Sequence, residues 1–246
     1  MSVLVVERLC RSFGGVRAVD DVSFALGEGE VAALIGPNGA GKSTLFNLID
    51  GQLAADAGRV QFLDHRLDVL STAARTRLGI GRTFQVAQAF ASMTALQNAQ
   101  VALCAVRAPL SVGAPLWDRH IEPARALLAQ VGLADRAEEP ASTLAYGDLK
   151  RLELALALAT SPRLLLMDEP TAGMAPGERT ALMRLVVGLA AARRMAVVFT
   201  EHSMEVVFGF ARRVLVLSAG RLVADGLPEA VRADAEVRRV YLGDPA

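Results

Sequence analysis

Residues 36–44 read Gly36-Pro37-Asn38-Gly39-Ala40-Gly41-Lys42-Ser43-Thr44, a G-x-x-x-x-G-K-[ST] run whose surroundings leave few folds open. An apolar stretch, Val31-Ala32-Ala33-Leu34-Ile35, precedes it, and a helix-forming stretch, residues 45–49, follows. Strand, glycine-rich turn and helix in that order make a cradle for phosphate. The glycines let successive N–H groups face an anion, and the helix N-terminus adds its positive end. Lys42 can reach the β- and γ-phosphates, and the Ser43 hydroxyl can ligand Mg²⁺. The run implies a chain that binds a nucleoside triphosphate.

Two more apolar runs end as abruptly. Residues 164–167 lead into Asp168-Glu169, and residues 196–199 into Thr200-Glu201-His202. Short, wholly apolar runs suit strands covered on both faces, as in a parallel sheet, where ligands gather beyond the carboxyl ends of the strands. Asp168 is then placed to join a Mg²⁺ shell through water, and Glu169 to polarise an attacking water as general base. In isolation an Asp-Glu pair more often caps a turn; behind an apolar strand in a chain with this loop, the catalytic reading is preferred.

Elsewhere the pattern changes. Val22, Phe24 and Leu26 alternate with smaller or polar residues, and residues 60–62 repeat the habit, as half-buried antiparallel strands do. Residues 88–160 are rich in Ala and Leu and punctuated by Pro109, Pro115, Pro123 and Pro140, which predicts a helical insertion. The expected fold is α/β: a RecA-like P-loop NTPase core with a mainly parallel sheet, an N-terminal antiparallel β subdomain and an inserted α-helical subdomain. One domain spans residues 1–246, with residues 1–87 and 161–246 forming the core.

Composition narrows the partners. The 26 Lys and Arg residues balance 26 Asp and Glu, so the basic excess of a nucleic-acid binder is missing and nucleic acid is not expected as a partner. Only Lys42 and Lys150 are lysines; the other basic residues are arginines. Cys10 and Cys104 stand far apart without metal-ligand spacing. No uncharged apolar stretch reaches the roughly 18 residues needed to span a bilayer, and the run at residues 3–6 is too short for a secretory signal. The chain is expected to be soluble, with any membrane role acting through a partner.

A second motif, Leu144-Ala145-Tyr146-Gly147-Asp148, lies about twenty residues before Asp168-Glu169-Pro170-Thr171, and Gln85 closes the turn Gly81-Arg82-Thr83-Phe84-Gln85. With His202 after the next strand, this order resembles the ATP-binding cassette (ABC) family over essentially the whole chain. Within it the chain is most similar to the ATPase subunits of branched-chain, or hydrophobic, amino acid importers. The Arg-Thr-Phe-Gln turn, the signature, residues 170–174 and the tail Tyr241-Leu242-Gly243 carry that closer match.

The resemblance implies specific roles. Phe13 stands where an aromatic stacks on adenine, with a core Phe as the alternative. Gln85 would complete the Mg²⁺ site formed with Ser43 and Asp168, and His202 would contact the γ-phosphate. His65 and His120 are read as solvated loop side chains. The signature would start a helix near Gly147 that runs through Leu158 and offers its amides to the γ-phosphate held by a second cassette, identical or paralogous. Two ATP molecules would then be sandwiched between the subunits. Integral membrane permease subunits would be the direct partners and a periplasmic substrate-binding protein an indirect one, which places the chain peripherally on the cytoplasmic face of the inner (plasma) membrane. Phe84, Val86, Phe90 and Met93 are expected to form the groove for a permease helix, or else to pack the insertion.

Three positions depart from the general family pattern: Ala145 replaces Ser, Asp148 replaces Gln, and Ala175 stands where an Asp often bridges to the partner. Importers of urea and short-chain amides share much of the pattern, and a lipopolysaccharide-type exporter is the nearest alternative outside import. A soluble P-loop phosphotransferase would need neither the signature nor the strand-end histidine.

Overall fold

The computed structural model describes residues 2–85, 88–107 and 119–239. Pro109, Pro115, Val86 and the 241–243 tail lie outside them. β1 (Ser2–Phe13) and β2 (Val16–Gly27) form an antiparallel hairpin, and β4 (Ala57–Phe62) and β5 (His65–Arg66) extend it into a sheet of order β2-β1-β4-β5. Val22, Phe24 and Leu26 all point inward, as their alternation predicts. His65 lies in the short strand β5 rather than in a loop.

The second sheet has the order β10-β9-β3-β8-β7-β6. Its strands β3 (Val31–Ile35), β6 (Ile80–Thr83), β7 (Leu164–Asp168), β8 (Ala196–Thr200) and β9 (Arg213–Ser218) run parallel, and β10 (Arg221–Gly226) returns antiparallel along β9. The apolar runs are buried on both faces. Ala33, Leu165, Val197 and Val214 enter one core with the helices of the insertion, whereas Leu34, Leu166, Val198 and Leu215 enter another beneath the antiparallel sheet. The fold is the expected P-loop NTPase architecture, and the carboxyl ends of the parallel strands share one edge.

Helix α1 (Lys42–Asp50) follows β3 and begins three residues earlier than the expected 45–49, because Gly41 takes the cap position in a left-handed conformation. α2 (Thr72–Arg77) precedes β6. Among the described residues of 88–160 lie α3 (Ala95–Arg107), α4 (Ile121–Gln130), two short 3₁₀ turns and α5 (Tyr146–Leu158). Pro123 stands in the first turn of α4, where a missing N–H costs nothing. α6 (Pro176–Arg193), α7 (Met204–Phe210) and α8 (Pro228–Ala233) complete the layers. Among the described residues no helix is long and apolar enough to cross a membrane.

Candidate functional site

The phosphate loop is shaped by what its glycines avoid. A Cβ at Gly36 would lie 2.0 Å from the Leu217 carbonyl oxygen, and one at Gly41 would lie 2.1 Å from that of Ala18. Only glycine lets the loop press between β9 and β2, and Gly41 has φ +104°, which other residues rarely adopt. The loop curls over Lys42, whose Nζ donates to the carbonyls of Gly36 at 2.6 Å and Pro37 at 3.0 Å. Burial pulls the Lys42 ammonium below the usual lysine range, while Glu169 and Asp168 push it back up. A lysine held, among the described residues, only by carbonyls and standing at the start of a helix fits a phosphate. Ser43 is exposed at the start of α1 and Thr44 is half-buried.

Two side chains predicted from separate segments meet on a third, the Glu169 carboxylate. Gln85 Nε2, beyond β6, donates to Glu169 Oε2 at 3.0 Å, and His202 Nε2, beyond β8, lies 3.0 Å from Glu169 Oε1. Because an ionised carboxylate only accepts, the ring nitrogen is the donor. Glu169 has φ +48°, a strained conformation worth about 1–3 kcal/mol that persists only where its surroundings hold it. Thr200, fully buried at the end of β8, supplies the hold: its hydroxyl accepts from the Glu169 N–H at 3.0 Å and donates to Asp168 Oδ1 at 2.7 Å.

Further holding groups were not singled out from sequence. Glu201 accepts from the Thr171 amide (2.8 Å) and hydroxyl (2.6 Å), tying the turn after Glu169 to the strand before His202. Arg82, lying 5.0 Å from the centre of the Phe84 ring, bonds Asn47 and Asp50 of α1 and stands 3.8 Å from Asp168. Their bonding partners in α1 and after Glu169 stand thirty or more residues away in the chain, so local spacing gives no signal for them.

Among the described residues no three His, Cys, Asp or Glu side chains gather into a metal cage. Mg²⁺ keeps several waters and takes substrate phosphates as ligands, so the Ser43 hydroxyl, Asp168 and Gln85 at the mouth of the loop suit it without such a cage.

Phe13 is 44% exposed at the end of β1, so it is not a core residue, and the Arg11 guanidinium lies 4.9 Å from its ring centre. The signature is built as a helix start: Leu144 is half-buried, Ala145 caps α5 without a side-chain bond, and Tyr146 is 47% exposed. Gly147 is buried against Glu178, where a Cβ would lie 3.0 Å from a carboxylate oxygen. Asp148 pairs with Arg136 at 3.2 Å, which offsets its charge beside any anion at the helix end. Ala175 starts α6, and its N–H is taken by Glu178 at 3.2 Å.

A groove of about 250 Å³ opens between α2, β6 and α5, lined by Asp50, Gln52, Arg75, Phe84 and Leu156 among others. Phe84, one of the four apolar residues expected to form a permease groove or pack the insertion, lines it, and Val86 lies outside the described residues. Phe90 and Met93 instead form the turn before α3, held by the Asn98 side chain.

Fold and site together define a nucleotide-binding ATPase of the P-loop class. The ABC transporter family profile matches residues 19–172, and that of the branched-chain amino acid ATP-binding cassette transporters matches residues 221–246. The chain is 37% identical to the high-affinity branched-chain amino acid transport ATP-binding protein LivG of Salmonella typhimurium and 35% to BraF of Pseudomonas aeruginosa, over 98% of both chains in each case. It is 32% identical to the lipopolysaccharide export system ATP-binding protein LptB of Escherichia coli over 99% of this chain and 98% of that one. The crystal structure of the ADP conformation of MJ1267, an ATP-binding cassette of an ABC transporter, superposes with a TM-score of 0.89 at 33% identity, covering 99% of this chain and all of the other. The chain belongs to the ABC transporter family, as one of its ATP-hydrolysing cassettes. A soluble phosphotransferase is thereby set aside.

Proposed function

We propose that this cassette drives import of branched-chain or hydrophobic amino acids, working in a pair of cassettes attached to permease subunits on the cytoplasmic face of the inner membrane. The convergence of Gln85 and His202 on Glu169, beside Lys42, is the observation that carries the hydrolytic part. The match of residues 221–246 to the branched-chain profile supports the cargo over an exporter.

Loop amides and Lys42 bind the phosphates, and the exposed Phe13 offers its ring to adenine. Glu169 takes a proton from water as it attacks the γ-phosphorus and the bond to the β–γ bridging oxygen breaks, releasing ADP and phosphate; Gln85 orients that water, and His202 turns its ring N–H from Glu169 to the γ-phosphate. Mg²⁺, when bound with the nucleotide, withdraws charge from the phosphate oxygens. The open helix start at Ala145 and Tyr146 meets the γ-phosphate of the other subunit, so ATP favours the closed pair and hydrolysis releases it. The groove around Phe84 receives a cytoplasmic permease helix, and a periplasmic binding protein delivers cargo on the far side.

The test combines a variant and a deletion. Glu169→Gln should bind ATP like the parent while turnover falls by about 10²–10⁴-fold; hydrolysis near the parental rate removes Glu169 as base. Cells lacking this chain should lose uptake of leucine, isoleucine and valine and keep that of urea; the opposite pattern assigns the urea-type cargo.

A further inference from the structure

Helix α5 carries two buried charged side chains that the phosphate chemistry leaves unused. Lys150 is 3% exposed and Glu153 5%, and their charged groups stand 3.3 Å apart. A buried ion pair is tolerated when its remaining donors and acceptors are filled. Here one segment fills them. The Phe84 N–H donates to Glu153 Oε1 at 2.6 Å, while Lys150 Nζ donates to the carbonyls of Phe84 (3.3 Å) and Gln85 (2.9 Å). The ammonium has three protons, and Phe84 O, Gln85 O and Glu153 Oε2 are three acceptors. A planar guanidinium does not match that set, and the chain uses lysine at only two positions, this one and Lys42. Burial raises the Glu153 carboxyl above its ordinary range against the pull of Phe84 N–H and Lys150, so this pair is an expensive way to fill the space between α5 and β6.

We propose that Lys150 and Glu153 are positioning residues that clamp the main chain of Phe84 and Gln85, and thereby keep the Gln85 amide on Glu169. The clamp makes hydrolysis at this chain's own phosphate loop depend on the seating of the signature helix. It rests on the reading of Gln85 and Glu169 as a hydrolytic pair.

The test is a double-mutant cycle in the full chain. Lys150→Met with Glu153→Gln removes both charges and keeps an amide oxygen for the Phe84 N–H. Its ATP affinity should stay within about twofold of the parent, because Lys42 and the loop are untouched, while kcat falls about tenfold or more through misplacement of Gln85. In a Gln85→Ala background the same pair of substitutions should lower kcat no further, since both act through one group. Lys150→Arg should also lower kcat. An unchanged kcat, an additive loss on top of Gln85→Ala, or an equal loss of affinity and turnover would each overturn the clamp. Parental turnover by Gln85→Ala alone would overturn the reading of Gln85 and the clamp with it; slow Gln85→Ala beside a fast clamp variant overturns the clamp alone. Should the double variant fail to fold, Lys150→Gln, which leaves the Glu153–Phe84 bond intact, carries the same measurements.

Discussion

His202 is 48% exposed, and among the described residues its side chain meets Glu169 Oε1 at 3.0 Å. An interaction so open to water contributes between about zero and 1 kcal/mol to folding, so the residue's value must lie elsewhere. Thr200 is the reverse case: it is fully buried, bonds both Asp168 and Glu169, and its loss would orphan groups that cost about 1–3 kcal/mol each. The contrast separates catalysis from stability. His202→Ala should melt within a degree or two of the parent and bind ATP with similar affinity, yet hydrolyse it at least about a hundredfold more slowly, the lower end of what removing a polar catalytic group costs. Melting curves, nucleotide titration and steady-state hydrolysis check the three parts. Equal hydrolysis rates in variant and parent would return His202 to an ordinary surface histidine.

The phosphate loop is the element in which backbone geometry and function coincide. Gly39 and Gly41 both have positive φ, +79° and +104°, but a Cβ at Gly39 meets nothing within 4 Å whereas one at Gly41 strikes the Ala18 carbonyl oxygen. Gly39→Ala should therefore carry only conformational strain, about 1–3 kcal/mol. Gly41→Ala should lose more, because β2 must also shift. Thermal melting without nucleotide checks the ranking, and a Gly39 variant less stable than the Gly41 variant contradicts it. Elements like this loop were legible in the sequence because their cause is local: glycine where φ must be positive, and unbroken apolar runs where both faces of β3, β7 and β8 are covered. Helix α2 was not legible. It is anchored by the buried Arg75, which donates to the Leu48, Ile49 and Leu70 carbonyls, rather than by an apolar stripe, so it has no periodic signal. Lys150 and Glu153 escaped for a related reason. Charge on a helix reads as exposure, and their partners, Phe84 and Gln85, lie more than sixty residues away.

At the scale of the molecule, two half-sites face solvent. At one, Ser43, Gln85 and His202 are exposed around Lys42 and Glu169, so a water positioned there competes with bulk water. At the other, α5 opens with Ala145, which offers its N-terminal amides no side-chain cap. An uncapped helix start leaves donors that an anion can fill, and a wet catalytic carboxylate gains from being covered. Each half-site supplies what the other lacks, which a second cassette turned end for end would satisfy twice over. In the proposed pair Ala145 and Ala175 would offer that contact no side-chain hydrogen bonds, so γ-phosphate would carry more of it. Glu169→Gln, which retains ATP, should accordingly sediment as a dimer with ATP and Mg²⁺ when its partner cassette is supplied, and as monomers with ADP. Adding Ala145→Ser should tighten the dimer by about 1.5–3 kcal/mol, the worth of one hydrogen bond to a charged group. Sedimentation velocity over a range of concentrations measures both. A chain that stays monomeric at saturating ATP beside its partner would leave the open start of α5 without a ligand and the paired mechanism without a basis.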